Sequence, residues 1–236
     1  MIKGILFDAA DVFYERFEST SAFATRLLEQ LGFAARVSEQ DLARQNELHL
    51  RATDGHLTHE AYWDEFLQMR GVTDPAQRKI LSKRVAEQAN NVIAIPGGRA
   101  AMSGLKQRGF VLGIVTDTIY PVEWKMNWLA TVGVAEFIDL VSCSSVLGAH
   151  KPNPEIYLDA LRQARLSPGE AAFVGHDAKE LKGARRVGMK TVAVNHPADV
   201  QADYCARSLE DLLNVPIFKR HSRSQFCHAE RSEASR

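Results

Sequence analysis

The spacing of apolar residues changes several times along the chain. Ile5, Leu6 and Phe7 form an unbroken apolar run that ends at Asp8. A short run of this kind predicts a strand over residues 3–8. From 15 to 92 the spacing is helical. Ala22, Phe23, Leu27, Leu28 and Leu31 recur on one face before Gly32 stops the segment. Ser38, with Asp41 three residues on, predicts the cap of a second helix. Thr58, with Glu60 in the first turn, predicts a third that carries Tyr62, Phe66 and Met69 on one face. Asp74–Pro75 is a cap followed by proline at the first helical position. Four helices with short links and no strand signal predict a compact helical module over 15–92.

Beyond Ile93 the pattern alternates. Pro96–Gly97–Gly98 predicts a turn, followed by a helix to Arg108. Short apolar strands then alternate with helices at Val111–Val115, Ile138–Val141, Ala171–Val174 and Thr191–Val194. This is the signature of βαβ units and a parallel sheet, so the fold class is α/β. The helical module is an insertion between the first strand and the rest, and the core is residues 1–14 and 93–216. After Pro216 the periodicity ends, and 217–236 is predicted to be a disordered tail. Its end, FCHAERSEASR, resembles peptides made when bacterial intergenic repeats are read through into a gene.

Composition narrows the function classes. The chain has 236 residues, 45% hydrophobic and 25% charged, which suits a soluble globular protein of one or two domains. Its formal net charge is +0, so neither nucleic acid nor an anionic membrane is indicated as a partner. Residues 217–236 carry five Lys/Arg and two Asp/Glu, a net of +3 against −3 elsewhere. No apolar stretch is long enough to span a bilayer, and the N-terminal run meets Asp8 too soon for a secretory signal. Cys143, Cys205 and Cys227 are odd in number and widely spaced, which suggests a reducing cytoplasm without a disulfide framework or zinc spacing.

The polar residues at the strand ends carry the chemistry. The first strand delivers Asp8 and the second Thr116 and Asp117. The loop GAHKPNPEIY delivers Lys151, and FVGHDAKELKGA delivers His176, Asp177 and Glu180. In a parallel sheet these ends converge on one crevice. There Asp8 can act as a covalent nucleophile. Thr116 can offer a hydroxyl and nearby N–H groups to a reacting centre. Lys151 can hold Asp8 ionised and offset charge on an anionic substrate. Asp177 is a hard oxygen donor able to share Mg²⁺ with Asp8, and magnesium commonly takes only one or two carboxylates.

These motifs resemble those of the haloacid dehalogenase-like hydrolase superfamily, subfamily I, over about residues 3–213. Asp8 matches the nucleophile, Thr116 the second-motif hydroxyl, and Lys151 the lysine of KPxPxxY. Asp177 and Glu180 match the acidic fourth motif, and Pro96–Gly97 the return from the cap. The resemblance implies a Rossmann-like core with an inserted four-helix cap over 15–92. It also implies a small-molecule substrate bound by Thr116, Asp117 and Lys151. The implied metal ligands are Asp8, the Ala10 backbone carbonyl and Asp177, with Glu180 a further candidate. A homodimer stays open.

One position departs from the pattern. Phosphatases of this superfamily read DxDGT, whereas this chain reads Asp8–Ala9–Ala10–Asp11–Val12. Alanine cannot supply the proton transfer of the second acid, which is worth about 10²–10⁴-fold. His176 and Asp11 are the candidate substitutes, with Tyr14 and His150 behind them. Three functions follow. The first is an Mg²⁺-dependent hydrolase of small phosphorylated metabolites, weakened by Ala10. The second is a metal-independent 2-haloacid dehalogenase-type hydrolase. The third is a weakened member that binds a ligand or partner. Lys79 and Lys83 match poorly the cap lysine that a phosphonate hydrolase requires. Tyr62, Trp63 and Phe66 read as core before specificity surface, and Arg36, Arg44 and Arg51 as solvated faces.

Overall fold

The computed structural model describes residues 1–33, 38–196 and 200–219. The apolar run near the start forms β1 (Gly4–Phe7), buried at all four positions. A turn in which Asp11 takes φ 57° leads to β2 (Tyr14–Glu15). Four helices follow: α1 (Thr20–Gln30), α2 (Glu39–Thr53), α3 (His59–Met69) and α4 (Pro75–Ala89). Each starts where a short polar side chain accepts a first-turn N–H, from Ser19, Ser38, Thr58 and Asp74 in turn. Ser38 and Asp41 complete a reciprocal capping box. β3 (Ile93–Ala94) then pairs antiparallel with β2. The helical stretch therefore leaves and rejoins the sheet through one narrow ribbon.

The remainder alternates as α5 (Gly98–Gln107), β4 (Val111–Thr116), α6 (Val122–Thr131), β5 (Leu140–Cys143), α7 (Ser144–Leu147) and α8 (Pro154–Ala164). It ends with β6 (Ala171–Gly175), α9 (Ala178–Arg186), β7 (Lys190–Ala193) and β8 (Tyr204–Cys205). The sheet order is β5-β4-β1-β6-β7-β8, with every neighbouring pair parallel. The fold is α/β with a Rossmann-like core. β1 lies between β4 and β6, and the chain builds outward on both sides of it. The crevice at such a switch point opens outside the carboxyl end of the strand, where Asp8 stands.

Alternate residues of the strands face opposite layers. Leu6, Val115 and Phe173 meet Ile156, Tyr157 and Leu161 of α8 and Leu181 of α9. Ile5, Phe7, Ile114 and Val174 belong to a second cluster with Met102, Leu105, Trp128 and Leu129. The aromatic face of α3 joins this second cluster through Tyr62, Trp63 and Phe66, all almost fully buried. Burying each such side chain is worth roughly 1.5–3 kcal/mol. Among the described residues no helix is long and apolar enough to cross a membrane.

Three sequence expectations shift. The strand predicted at Ile138–Val141 runs Leu140–Cys143. Ala135–Phe137 forms a tight helical turn first, and the Asp139 carboxylate then accepts the Leu112 N–H and the Lys106 ammonium. β8 has no sequence signal, since two edge residues cannot show a period. The tail boundary at 217 comes too early. Pro216–Phe218 forms a turn, and Phe218 is completely buried against Phe110. Residues 220–236 and Arg36 lie outside the described residues.

Candidate active site

The strand ends bring Asp8, Thr116, Lys151 and His176 to one place. Asp8 follows β1, Thr116 ends β4, His176 follows β6, and Lys151 comes from the loop between α7 and α8. Asp8, Thr116 and Lys151 are all buried. The Lys151 ammonium donates to Asp8 Oδ1 at 2.5 Å and to Glu180 Oε2 at 3.1 Å. Its loop is fixed in turn: the Lys151 backbone N–H donates to Asp117 Oδ1 at 3.2 Å, and Tyr157 Oη donates to the Glu180 carbonyl at 2.8 Å.

Burial would push the Asp8 carboxyl up. The Lys151 ammonium and the neighbouring His176 outweigh it and hold Asp8 well below the usual carboxylate range. Burial likewise works against the Lys151 charge, yet Asp8, Glu180 and Asp117 raise it well above the usual lysine value. Glu180 goes the other way. Burial and the Asp8 charge push it up to about 7 despite its bond to Lys151. Asp117 is raised by burial as well. One carboxylate is thus kept ionised while the others around it are not equally favoured.

The fourth motif is arranged differently from its sequence reading. Asp177, predicted as a metal ligand, is exposed and caps α9, accepting the N–H groups of Lys179 at 2.7 Å and Glu180 at 3.1 Å. His176 takes the place beside the nucleophile, with Nδ1 3.4 Å from Asp8 Oδ2 and Nε2 3.7 Å from Asp11 Oδ2. This is a charge contact rather than a hydrogen bond, since Nδ1 is buried without a hydrogen-bond partner. Contact with Asp8 nevertheless raises the imidazole above its ordinary value, against its burial.

This donor set does not fit Mg²⁺. A magnesium site wants hard oxygens in an octahedral shell. Here the groups facing Asp8 are an ammonium and an imidazole, Glu180 is engaged by Lys151, and Asp177 serves its helix.

Of the other sequence candidates, Tyr14 is fully buried and its hydroxyl accepts from Lys125 at 2.9 Å. His150 Nδ1 is 2.7 Å from Asp54 Oδ1, joining the Lys151 loop to the α2–α3 turn. Arg44, Arg51, Lys79 and Lys83 are exposed. A cavity of about 340 Å³ lies between the strand ends and the helical insertion. Ala10, Asp117 and His150 line one side and Thr20, Thr53 and Tyr62 the other. Trp63 and Phe66 are not among its lining residues, and Trp63 Nε1 donates to Tyr120 Oη at 3.2 Å. Arg16 and Lys125 also line the cavity, and no motif signals either. The one local hint is Lys125 three residues before Trp128, the spacing that puts a cation and a ring on the same helix face.

A family model described as haloacid dehalogenase-like hydrolase matches residues 5–194. A glyceraldehyde 3-phosphate phosphatase of Methanopyrus kandleri is 30% identical over 201 residues, covering 82% of this chain and 84% of that protein. One of Methanocaldococcus jannaschii is 27% identical over 91% of this chain and 97% of its own. Among solved structures, a 2-haloacid dehalogenase from Pseudomonas syringae has a TM-score of 0.65 at 23% identity, covering 91% of this chain and 97% of that one. A phosphatase from Thermococcus onnurineus has a TM-score of 0.62 at 24% identity, covering 90% and 97%. At these identities the structural likeness speaks for the fold alone.

Proposed function

The chain belongs to the haloacid dehalogenase-like hydrolases, and from that premise we propose that it is an Asp8-dependent hydrolase of small phosphate monoesters. The observation that carries this reading is Asp8 itself, a buried carboxylate held ionised between Lys151 and His176, two residues before Ala10, which lines the cavity. The phosphatase relatives favour a phosphate over a halide as the group attacked.

Asp8 Oδ2 is the oxygen left free by Lys151, and it attacks the phosphorus. The ester P–O bond breaks, and the leaving alkoxide takes a proton from the His176 imidazolium, giving an aspartyl phosphate and an alcohol. Water then attacks the phosphorus and passes its proton back to His176, which frees Asp8 and inorganic phosphate. Thr116, at the end of β4, faces the oxygens of the transferring group, and Lys151 balances their charge. The helical stretch serves as a cap over this site.

Phosphatases of the family generally use Mg²⁺, but no step here runs through the metal, because the donor set does not fit it. Proton transfer by a half-buried imidazole whose Nε2 lies 3.7 Å from Asp11 is a weak replacement for a dedicated acid, so turnover is expected to be low. Ala10, and the lack among the described residues of a second carboxylate left unengaged beside Asp8, also favour a second reading, in which Asp8 displaces halide from a 2-haloacid. A phosphoester panel that includes glyceraldehyde 3-phosphate, run beside 2-haloacids, separates the two. Phosphate release abolished by Asp8→Asn supports the first. Halide release abolished by the same change supports the second, and neither product overturns both.

A further inference from the structure

We propose that Lys125, helped by Arg16, forms a second anion-recognition subsite, so that the preferred substrate carries an anionic group besides the one Asp8 attacks. This deepens the hydrolase reading above and rests on Asp8 being the attacking group.

Lys125 sits on α6 at 4% exposure, and it lines the cavity. Its ammonium has three N–H donors. Two are used, on Tyr14 Oη at 2.9 Å and on the Asp117 carbonyl at 3.4 Å. Both acceptors are neutral. Among the described residues it forms no ion pair with a carboxylate. Its charge rests instead against the rings of Tyr14 at 5.6 Å and Trp128 at 5.3 Å. Such ring contacts compensate only part of the cost of desolvating an ammonium. A buried cation without a counter-ion, with one donor unspent and a cavity in front of it, has the chemistry of an anion receptor.

Arg16 strengthens the case. Its Nε and Nη2 donate to the Ala89 carbonyl at 3.0 and 2.8 Å, and its guanidinium lies 4.4 Å from the centre of the Trp128 ring. It too lines the cavity and has no carboxylate partner among the described residues. Two cations thus stand on one aromatic platform. Asp117 links that platform to the reaction centre, since its carbonyl accepts from Lys125 and its carboxylate from the Lys151 backbone. A substrate that meets both positions carries an anion at each end. The second anion is a carboxylate or another phosphate, because an ammonium beside a guanidinium receives either.

The test is binding, which does not require turnover. Phosphonoacetate and methylenebisphosphonate are titrated calorimetrically beside 2-hydroxyethylphosphonate, which replaces the second anion by an uncharged hydroxyl. The wild-type protein is expected to prefer at least one of the two dianions by about 10- to 100-fold, the usual worth of a charged hydrogen bond. Which one it prefers identifies the second anion. Lys125→Met should erase the preference and Lys125→Arg restore part of it. If Lys125→Met does not fold, Arg16→Met, altered at a partly exposed position, should still reduce the preference several-fold. Equal binding of all three probes by the wild type, no binding at millimolar concentration, or a preference that survives in folded Lys125→Met overturns the subsite. A Lys125-dependent preference in a protein that releases no phosphate from any ester would keep the subsite and sink the hydrolase reading.

Discussion

Replacing Lys151 by Met is the sharpest test of the charge arrangement. The side chains of Lys151 and Asp8 are 2% and 7% exposed, so solvent screens their attraction little. Methionine keeps most of the volume and removes the charge. Asp8 and Glu180 are then left as neighbouring buried carboxylates with no ammonium between them. Removing one partner of a buried pair costs about 3–5 kcal/mol. For a protein of this size that is a fall in Tm of about 6–20 °C, at roughly 2–4 °C per kcal/mol. The pH dependence gives the sign. Without Lys151, burial and mutual repulsion raise both carboxyls in the folded state. Groups raised on folding favour the native state while protonated and lose that contribution as pH climbs through the raised value. The deficit should therefore be largest near pH 8 and shrink toward pH 5, by about 1.4 kcal/mol for each unit of raised pKa. Urea unfolding of both proteins at the two pH values measures it. Adding Glu180→Gln should return part of the loss, and this double variant also covers failure of the single one to fold. A deficit below about 1 kcal/mol at pH 8, or one that grows as pH falls, would refute the reasoning.

Chelation should leave phosphate release unchanged, and added Mg²⁺ should not raise Tm; activity lost to EDTA and restored by Mg²⁺ would show that the donor set had been misjudged. Gly55→Ala should cost about 1–3 kcal/mol in thermal unfolding, because Gly55 holds φ 71° and a Cβ there would collide with the Ser145 carbonyl. A neutral effect would mean that the α2–α3 turn yields easily. Phe218→Ala should lose about 3–5 kcal/mol, the usual cost of emptying a buried phenyl site, with truncation after Pro216 at least as harmful. Wild-type stability in either would return Phe218 to the tail.

The sheet and its central chemistry were legible for a specific reason. Apolar runs ending in Asp8 and Thr116 are short, local patterns, and parallel strands bring their ends together wherever they lie in the chain. The same logic put Asp177 forward as a metal ligand, whereas in the structure it caps α9. After β6, His176 is the residue at the strand end, while Asp177 is an ordinary helix cap that also happens to be a carboxylate. Its capping role was as readable as its charge, since Asp is a favoured first-turn acceptor. Lys125 was largely out of reach, because its nearest partner, Tyr14, is 111 residues away and the spacing to Trp128 does not say that the lysine is buried. The end of the fold was missed because Phe218 is a single anchor without a period.

The contact between the α2–α3 turn and the Lys151 loop has a mechanical consequence. Asp54 meets His150, one residue before the lysine, and Gly55 presses on Ser145 in the same stretch of chain. Any displacement of the α2–α3 turn from the sheet would have to break this fastening, and the strain would reach the loop that carries Lys151. A helix swing that opened the cavity would then also loosen the support of the lysine that steadies Asp8.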